Sequence, residues 1–405
     1  MIDGDTAWLL ISAALVMLMT PGLALFYGGM VQGKNVLSTF MHSFFALGLV
    51  TIQFALVGYS LAFGTSWHGI IGGFDYVGLD GLTETTARGN VPHLAFFAYQ
   101  CMFAVISPAL ISGAYAERFK FSAYVLFTLG WTTLVYDPIA HWSWGSNGWL
   151  AKLGAIDYAG GTVVHLSSGL SALVVALVIG KRKGYPANRH PPHDLTMTVL
   201  GAGILWFGWF GFNAGGAGAN GTAALALVNT HVAAAAGALT WVVIEGSRIK
   251  KFTILGFASG LVAGLVAITP AAGYVSPMWA IAIGCAAGAI CYGAVLAKAR
   301  LGYDDALDAF GVHGVGGATG ALLTGVAARA VLNNGNGGGL SLLGKQALSI
   351  AAAGAWAAVV TFILLKVIDL TVGLRVDQES EHEGLDGVLH GESAYGSPGG
   401  IAHGS

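Results

Sequence analysis

The chain has 405 residues, of which 55% are hydrophobic and only 9% are charged. Ordinary soluble domains carry roughly 25% charged residues, so this composition excludes a soluble fold and predicts a protein that crosses a membrane several times. The formal net charge of −2 gives no reason to expect a nucleic-acid partner.

Apolar runs of about 20 residues predict eleven transmembrane helices. Their approximate limits are 6–30, 36–63, 93–115, 121–139, 157–180, 195–214, 222–245, 253–270, 277–297, 306–327 and 345–372. The fourth and tenth spans are the least hydrophobic, because Asp137 lies near one end of the fourth and Asp308 and His313 lie within the tenth. The predicted fold class is therefore an all-α polytopic membrane protein.

The loop Lys and Arg residues predict the orientation of these spans. Most of them fall on one side of the membrane, and the other side holds only Arg88, Lys152, Arg329 and Lys345. Positive residues favour the cytoplasmic side. The N-terminus is therefore predicted to lie outside and, with an odd number of spans, the C-terminus inside.

The two halves of the membrane region resemble each other. Span 1 ends in PGLALFYGG and span 6 in GWFGFNAGG, and spans 5 and 10 each carry an acid followed by a histidine. Five spans separate the members of each pair, so the halves have opposite orientations. This pattern predicts an inverted five-helix repeat, spans 1–5 and 6–10, plus an eleventh helix, with a substrate path between the halves.

His165 and His313 are the candidate pore residues. Ionisable residues inside a membrane span are costly and mark functional sites by default. Glycines one helical turn away, such as Gly169 and Gly317, let a neighbouring helix approach and leave space for an imidazole. Two imidazoles can share a proton, one donating and one accepting, which predicts a proton relay. The alternative is a pair of helix–helix hydrogen bonds without a role in transport.

Asp157 and Asp308 lie near the ends of their spans, where a carboxylate can cap a helix N-terminus. Asp157 is eight residues before His165, which corresponds to roughly 12 Å along a helix axis and is too far for contact. A structural or electrostatic role is therefore favoured over direct handling of a substrate.

Aromatic residues near span ends, or inside spans 3 and 6, form a second group: Tyr99, Phe103, Trp142, Trp144, Trp206, Trp209 and Phe212. They are either interfacial anchors or a site that holds a small cation, at about 0.5–2 kcal/mol per ring. That attraction cannot offset the cost of burying an ion. A cation bound there would have to lose its charge before going further, which indicates a substrate that can shed a proton.

Six strings spread over the whole chain carry a family resemblance: TPGLALFYGGMVQGKN (20–35), GAYAERFKFSA (113–123), DYAGGTVVH (157–165), WFGFNAGG (209–216), FGVHGVGG (310–317) and DLTVGLRV (369–376). With these strings the chain closely resembles the Amt/Mep/Rh family, specifically the bacterial ammonium transporters of the Amt branch. The resemblance implies eleven helices per protomer, an extracellular N-terminus and a homotrimer with one pore in each subunit.

The resemblance also implies roles for individual residues. His165 and His313 match the twin histidines that line the pore and relay the proton. The remaining implied positions are the gate (Phe103, Phe212), the outer ammonium site (Trp144, Phe103), the acid near the pore mouth (Asp157) and the residues that flank the gate (Trp209, Asn213).

Two positions depart from the family pattern. Gly216 stands where typical bacterial members have a serine hydroxyl that accepts a hydrogen bond from ammonium, and Tyr99 stands where a phenylalanine is common. Loss of one hydrogen bond to a charged group would weaken the outer site, here Trp144, Phe103, Tyr99 and Gly216, by roughly 1.5–3 kcal/mol. The Tyr99 hydroxyl or a water could substitute.

The expected function is electrogenic ammonium uptake across a bacterial inner membrane, with no cofactor, no metal and no enzymatic activity. The alternatives are an ammonium sensor with weak transport and a neutral channel for ammonia or carbon dioxide gas. Residues 1–372 are expected to form the membrane domain and residues 373–405 a cytoplasmic regulatory tail. The resemblance implies that trimeric PII-type regulators dock on that inner face.

Overall fold

The computed structural model describes residues 1–187 and 191–395, and most of this part of the chain is helical. Its α-helices are α1 (Asp3–Met30), α2 (Val36–Gln53), α3 (Tyr59–Phe63), α4 (His93–Tyr115), α5 (Phe121–Trp131), α6 (Asp137–Trp144), α7 (Trp149–Leu153), α8 (Ser167–Ile179), α9 (Leu195–Ala214), α10 (Gly221–Ile249), α11 (Ile254–Ile268), α12 (Pro277–Leu301), α13 (Val315–Ala327), α14 (Leu340–Thr371) and α15 (Gln378–Glu383).

Short irregular elements connect or interrupt these helices. The π-helical turns are π1 (Phe54–Gly58), π2 (Thr132–Tyr136), π3 (Gly161–Leu166), π4 (Phe310–Gly314) and π5 (Asp386–His390). Single 3-10 turns cover Val77–Leu79 and Ala330–Leu332. Two antiparallel strand pairs, β1 (Ser66–Trp67) with β2 (Ile71–Gly72) and β3 (Ala87–Arg88) with β4 (Val91–Pro92), lie between α3 and α4.

The prediction of a helical polytopic membrane protein is confirmed. Every predicted span coincides with one helix or with consecutive helical segments. Within the described ranges, eight helical segments are long and apolar enough to cross a membrane, as judged by length and composition. Ile254–Ile268 is apolar but shorter.

Four predicted spans contain a π-helical turn, which the hydropathy pattern did not indicate. Such a turn inserts one residue into the helix and changes the direction of the side chains around it, and it is frequent at functional sites. The turns π3 and π4 hold His165 and His313, respectively.

Helices that were paired by sequence similarity pack against each other. A Cβ atom added to Gly201 of α9 would lie 2.3 Å from the backbone nitrogen of Phe26 in α1. In the same way, a Cβ atom on Gly169 of α8 would lie 2.0 Å from the backbone nitrogen of Gly314 in π4. Small residues therefore let the two halves of the chain approach to backbone contact, and the two histidine-bearing segments meet at one of these crossings.

A cluster of buried charges ties together the loops at the ends of α4, α8 and α12. The Arg182 guanidinium forms ion pairs with Glu117 at 2.7 Å and with Asp304 at 2.9 Å. Burial raises the pKa of both carboxyl groups, but the charge of Arg182, together with hydrogen bonds to each carboxylate, more than offsets this effect and holds each pKa below its ordinary value. The cluster stabilises the fold only as long as both carboxylates are paired.

The acidic segment that follows α14 packs on these loops. The Glu381 carboxylate forms an ion pair with Arg375 at 2.7 Å and accepts the backbone N–H of Lys183 at 2.9 Å. The Asp386 carboxylate accepts the backbone N–H of Ser38 at 2.8 Å, in the first turn of α2. The segment is therefore attached to the rest of the chain at Glu381 and Asp386, whereas Asp377, Glu379 and Glu383 are exposed, and residues 396–405 lie outside the described ranges.

Substitution of Arg182 by Gln should destabilise the protein strongly. It would leave two buried carboxylates unpaired, which typically costs about 3–5 kcal/mol. Thermal unfolding in detergent, compared with the variant Lys181→Gln at an exposed neighbouring position, measures the effect. Equal unfolding midpoints for the two variants would show that the cluster does not stabilise the fold.

The same cluster predicts an acid-dependent loss of stability. Because the pKa values of Glu117 and Asp304 are lowered in the folded state, their contribution is fully present above the pKa of an unfolded carboxyl group, about 4. It is lost as the pH falls below that value towards the folded pKa. The thermal unfolding temperature, measured between pH 7 and pH 3, should decrease once the pH falls below about 4. The decrease should be less steep in Glu117→Gln. An equally steep fall in that variant would contradict the assignment.

Candidate functional site

A cavity of about 310 Å³, here called the vestibule, opens above the packed aromatic core. Its walls come from α1, α4, the end of α6, the segment before π3, and the end of α9. The lining residues are Leu9, Val91, Phe96, Tyr99, Gln100, Phe103, Trp144, Tyr158, Ala159, Gly215, Gly216 and Gly218. This cavity brings together all four residues of the predicted outer site.

Two phenylalanine rings close the bottom of the vestibule. Phe103 and Phe212 are buried, and their ring centroids lie 4.2 Å apart with planes inclined by 33°. The Trp144 ring stands edge-on to Phe103 at 6.0 Å. The pair Phe103–Phe212, predicted to be the gate, therefore separates the vestibule from the cavity below.

His165 and His313 meet directly below the gate. Their Nδ1 atoms are 3.3 Å apart and their rings are nearly parallel, with centroids 5.3 Å apart. Both side chains are buried, and both line a narrow apolar cavity that Phe212 separates from the vestibule. In the Nδ1–Nδ1 contact one ring must donate and the other must accept, so the two imidazoles share one proton between them.

Asp157 fixes the start of the segment that carries His165. One carboxylate oxygen accepts the backbone N–H groups of Gly160 and Gly161 at 2.9 and 2.7 Å, and the other accepts those of Thr162 and Val163 at 2.8 and 3.0 Å. The carboxylate thus satisfies the free N–H groups of the first helical turn, which is the capping geometry expected from sequence.

The corresponding cap in the second half belongs to a different aspartate. Asp305, not Asp308, accepts the backbone N–H groups of Ala309 and Phe310, at 3.1 and 2.8 Å. Asp308 instead has a positive φ of 61° and forms an ion pair with Lys298 at 2.5 Å. It lines a further cavity of about 50 Å³ that begins at His313. Asp308 therefore does not cap the segment; of the structural or electrostatic role predicted for it, the ion pair with Lys298 corresponds to the electrostatic one.

Trp209 and Asn213 hold α9 in position beside the gate. The Trp209 indole donates to the Thr269 hydroxyl at 2.9 Å, and the Asn213 amide donates to the Thr230 hydroxyl at 2.8 Å. The Trp209 ring also stacks on His165, with centroids 5.2 Å apart. Both residues therefore fix α9 next to Phe212, and their role beside a gate stays a prediction.

Two residues of the predicted aromatic group lie elsewhere. Trp142 donates to the carbonyl oxygen of Ile70 and packs against Trp149, away from the vestibule. Trp206 stacks on the exposed His231 at the surface of α9 and α10. Spacing along the chain could not separate these rings from those of the vestibule.

Two polar residues of the vestibule wall were missed in the sequence. Tyr158 and Gln100 each line the cavity, and Tyr158 Oη and Gln100 Oε1 are buried atoms without a hydrogen-bond partner in the described part of the chain. In the sequence, the only indication that they belong to the vestibule was that Tyr158 follows Asp157 and Gln100 follows Tyr99. The described ranges hold no group of three or more His, Cys, Asp and Glu side chains suited to a metal ion.

Comparison with known proteins gives consistent results. A model of the Ammonium Transporter Family matches residues 7–395. An ammonium transporter from Bacillus subtilis (strain 168) is 50% identical over 401 residues, which cover 97% of this chain and 98% of that protein. The ammonium transporter Amt1 of Archaeoglobus fulgidus is 46% identical over 399 residues, 98% of this chain and 100% of that protein.

Solved structures show the same architecture. The crystal structure of Saccharomyces cerevisiae Mep2 superposes with a TM-score of 0.87 and 40% identity, covering 93% of this chain and 91% of that one. A structure described as a sensor Amt protein gives a TM-score of 0.90 at 30% identity, covering 96% of this chain and 98% of that one.

Proposed function

Because this chain belongs to the ammonium transporter family, we propose that it moves ammonium nitrogen across the membrane as ammonia while the proton travels separately. The observation that carries the proposal is the buried contact between His165 and His313, whose Nδ1 atoms lie 3.3 Å apart below the stacked rings of Phe103 and Phe212. The family comprises transporters, so no catalytic residues are proposed.

The proposed assembly has eleven spans, an inverted repeat of two five-helix halves, an outside N-terminus and an inside C-terminus. It is a homotrimer in a bacterial inner membrane, with one pore in each subunit. Residues 1–372 form the membrane domain, and residues 373–405 form a cytoplasmic regulatory tail. The cytoplasmic face of the protein is the proposed docking site for a PII-type regulator. In the tail, Glu381 contacts the loop after α8 and Asp386 contacts the first turn of α2. These contacts support a tail that responds to the conformation of the segments on this side of the protein.

Recruitment takes place in the vestibule, which is the proposed outer site. The faces of Phe103 and Trp144 attract a small cation by about 0.5–2 kcal/mol for each ring. The charge cannot follow the nitrogen into the apolar cavity below, because burying an ion costs several kcal/mol. We therefore place proton loss at the gate formed by Phe103 and Phe212.

Proton transfer along the two imidazoles accounts for an electrogenic process. Ammonia passes the gate as a neutral molecule, and the proton enters the shared Nδ1–Nδ1 contact of His165 and His313. The far cavity, lined by His313 and Asp308, is the proposed exit. Each turnover then moves one net positive charge.

Currents in proteoliposomes after a jump in ammonium concentration test the proposal. A transporter gives an ammonium-dependent current, whereas a neutral gas channel gives ammonia flux, seen as a change in internal pH, without current. A sensor with weak transport gives neither at a comparable rate but still binds ammonium. Protein-free vesicles provide the control, and the absence of current with intact ammonia flux would overturn the electrogenic mechanism.

A further inference from the structure

Apolar and aromatic groups form most of the vestibule wall, yet the ion that the proposed function brings there carries four N–H donors. Aromatic faces attract the charge but do not replace the hydrogen bonds that ammonium gives up when it leaves water. A selective site therefore needs at least one oxygen atom that is still free to accept. The walls of the cavity offer few candidates.

The hydroxyl proton of Tyr99 and the Trp144 N–H are already engaged. The Tyr99 hydroxyl contacts the carbonyl oxygens of Gly211 and Phe212, at 3.4 and 2.7 Å, so its oxygen, although still able to accept, lies against the backbone of α9. The indole N–H of Trp144 donates to the carbonyl oxygen of Asp157 at 2.8 Å and offers no acceptor. Among the side chains that line the vestibule, the buried oxygens of Tyr158 and Gln100 have no hydrogen-bond partner in the described part of the chain.

The Tyr158 ring is held firmly in place. Its backbone N–H donates to Pro270 at 3.2 Å, and a Cβ atom on Gly273 would lie only 2.1 Å from the ring. The ring also stands edge-on to Tyr274, with centroids 5.4 Å apart. A rigid phenol positions its hydroxyl without losing much conformational freedom when a ligand binds.

Gly216 faces the same phenol. A Cβ atom at position 216 would lie 3.5 Å from both Cε1 and Cζ of Tyr158, and Cζ is the carbon that bears the hydroxyl. Because Gly216 has no side chain, nothing at this position packs against the ring carbons next to the Tyr158 hydroxyl, which leaves space for a small ligand beside them. A serine would fit there in ordinary contact and would place its own hydroxyl close to Tyr158 Oη.

We propose that Tyr158 Oη, a buried oxygen without a hydrogen-bond partner in the described part of the chain, is the acceptor for the recruited cation, and that Gly216 leaves the space beside it. The assignment rests on the proposed function, because it names the group that binds the substrate of that transport reaction. It makes Tyr158 a specificity-determining residue for cations that carry N–H groups. Tyr99 then has a structural role, because its hydroxyl bonds to the backbone of α9.

The variant Tyr158→Phe removes only the hydroxyl. The ammonium concentration that gives half-maximal current should rise about tenfold, which corresponds to about 1.4 kcal/mol. The maximal current should stay within about twofold of the original, because the gate and the histidines are unchanged. The matched control Tyr274→Phe alters the neighbouring ring, which does not line the vestibule, and should leave both values unchanged.

The double variant Tyr158→Phe with Gly216→Ser provides the rescue. The serine hydroxyl should bring the half-maximal concentration back to within about threefold of the original value, since it occupies the space beside the lost hydroxyl. A purely structural role of Tyr158 would instead lower the maximal current and would not be rescued. An unchanged half-maximal concentration in Tyr158→Phe, or failure of the rescue, would overturn the proposal.

Failure of the proposed function can be told apart from failure of this assignment. If the unmodified protein gives no ammonium current, ammonium binding to the protein in detergent is measured by isothermal titration calorimetry. Ammonium should still bind about tenfold more weakly to Tyr158→Phe than to the original protein. Equal binding to both would sink the Tyr158 assignment whatever the transport mechanism.

Discussion

Replacement of both His165 and His313 by alanine is expected to reduce the ammonium-dependent current at least about 100-fold. The narrow cavity below the gate would then contain no group able to carry a proton, because its other lining side chains are aliphatic, aromatic or thioether groups. Moving a bare charge through such a cavity costs several kcal/mol, and each 1.4 kcal/mol of barrier reduces the rate tenfold.

The experiment compares current with ammonia flux in the same proteoliposomes. Loss of current with continued flux of ammonia supports a proton path that is separate from the nitrogen path. The control is His231→Ala, because this histidine is exposed on α10, stacks on Trp206 and does not line the pore. An undiminished, ammonium-selective current from the double variant would refute the relay.

Replacement of Asp157 by alanine is expected to destabilise the protein by at least about 3 kcal/mol and to abolish transport. Four backbone N–H groups would lose their acceptor at the start of π3, and each buried unsatisfied donor costs about 1–3 kcal/mol. The segment that positions His165 would then no longer be fixed, so the contact with His313 would be lost as well.

Thermal unfolding separates this structural role from a direct role in transport. Asp80→Ala is the matched control, because the Asp80 side chain lies in an exposed loop and bonds only to the next backbone N–H. Asp157→Asn should lie between alanine and the original protein, since an amide oxygen can accept only part of the four N–H groups. If Asp157→Ala unfolds at the original temperature but gives no current, the carboxylate acts on the substrate and the capping role is not its main one.

Several features of the site were predictable from sequence because they depend on local composition. The limits His93–Tyr115 and Leu195–Ala214 agree with the predicted spans, since a membrane helix must be apolar over its whole length. His165 and His313 stood out for the same reason, because a titratable residue in such a span is costly. The matched positions in the two halves suggested that they meet, and they do.

Other features could not be predicted because they depend on partners distant in sequence. Three aspartates, at positions 304, 305 and 308, precede π4, and hydropathy cannot decide which of them caps it. The structure assigns the cap to Asp305 and the ion pair with Lys298 to Asp308. The charged residues Glu117, Arg182 and Asp304 lie far apart in the chain, so only packing reveals that they form one cluster.

The sequence by itself determined the class of protein, the positions of the apolar helices and the two histidines. The reason is that the bilayer requires a helix with apolar side chains along the whole span, so each exception is visible in the sequence. The tertiary structure alone decided the π-helical turns, the Nδ1–Nδ1 contact and the environment of Tyr158. These depend on how closely two backbones approach, as at Gly169 and Gly314. Such an approach depends on both halves of the chain at once, and no local pattern of residues can specify it.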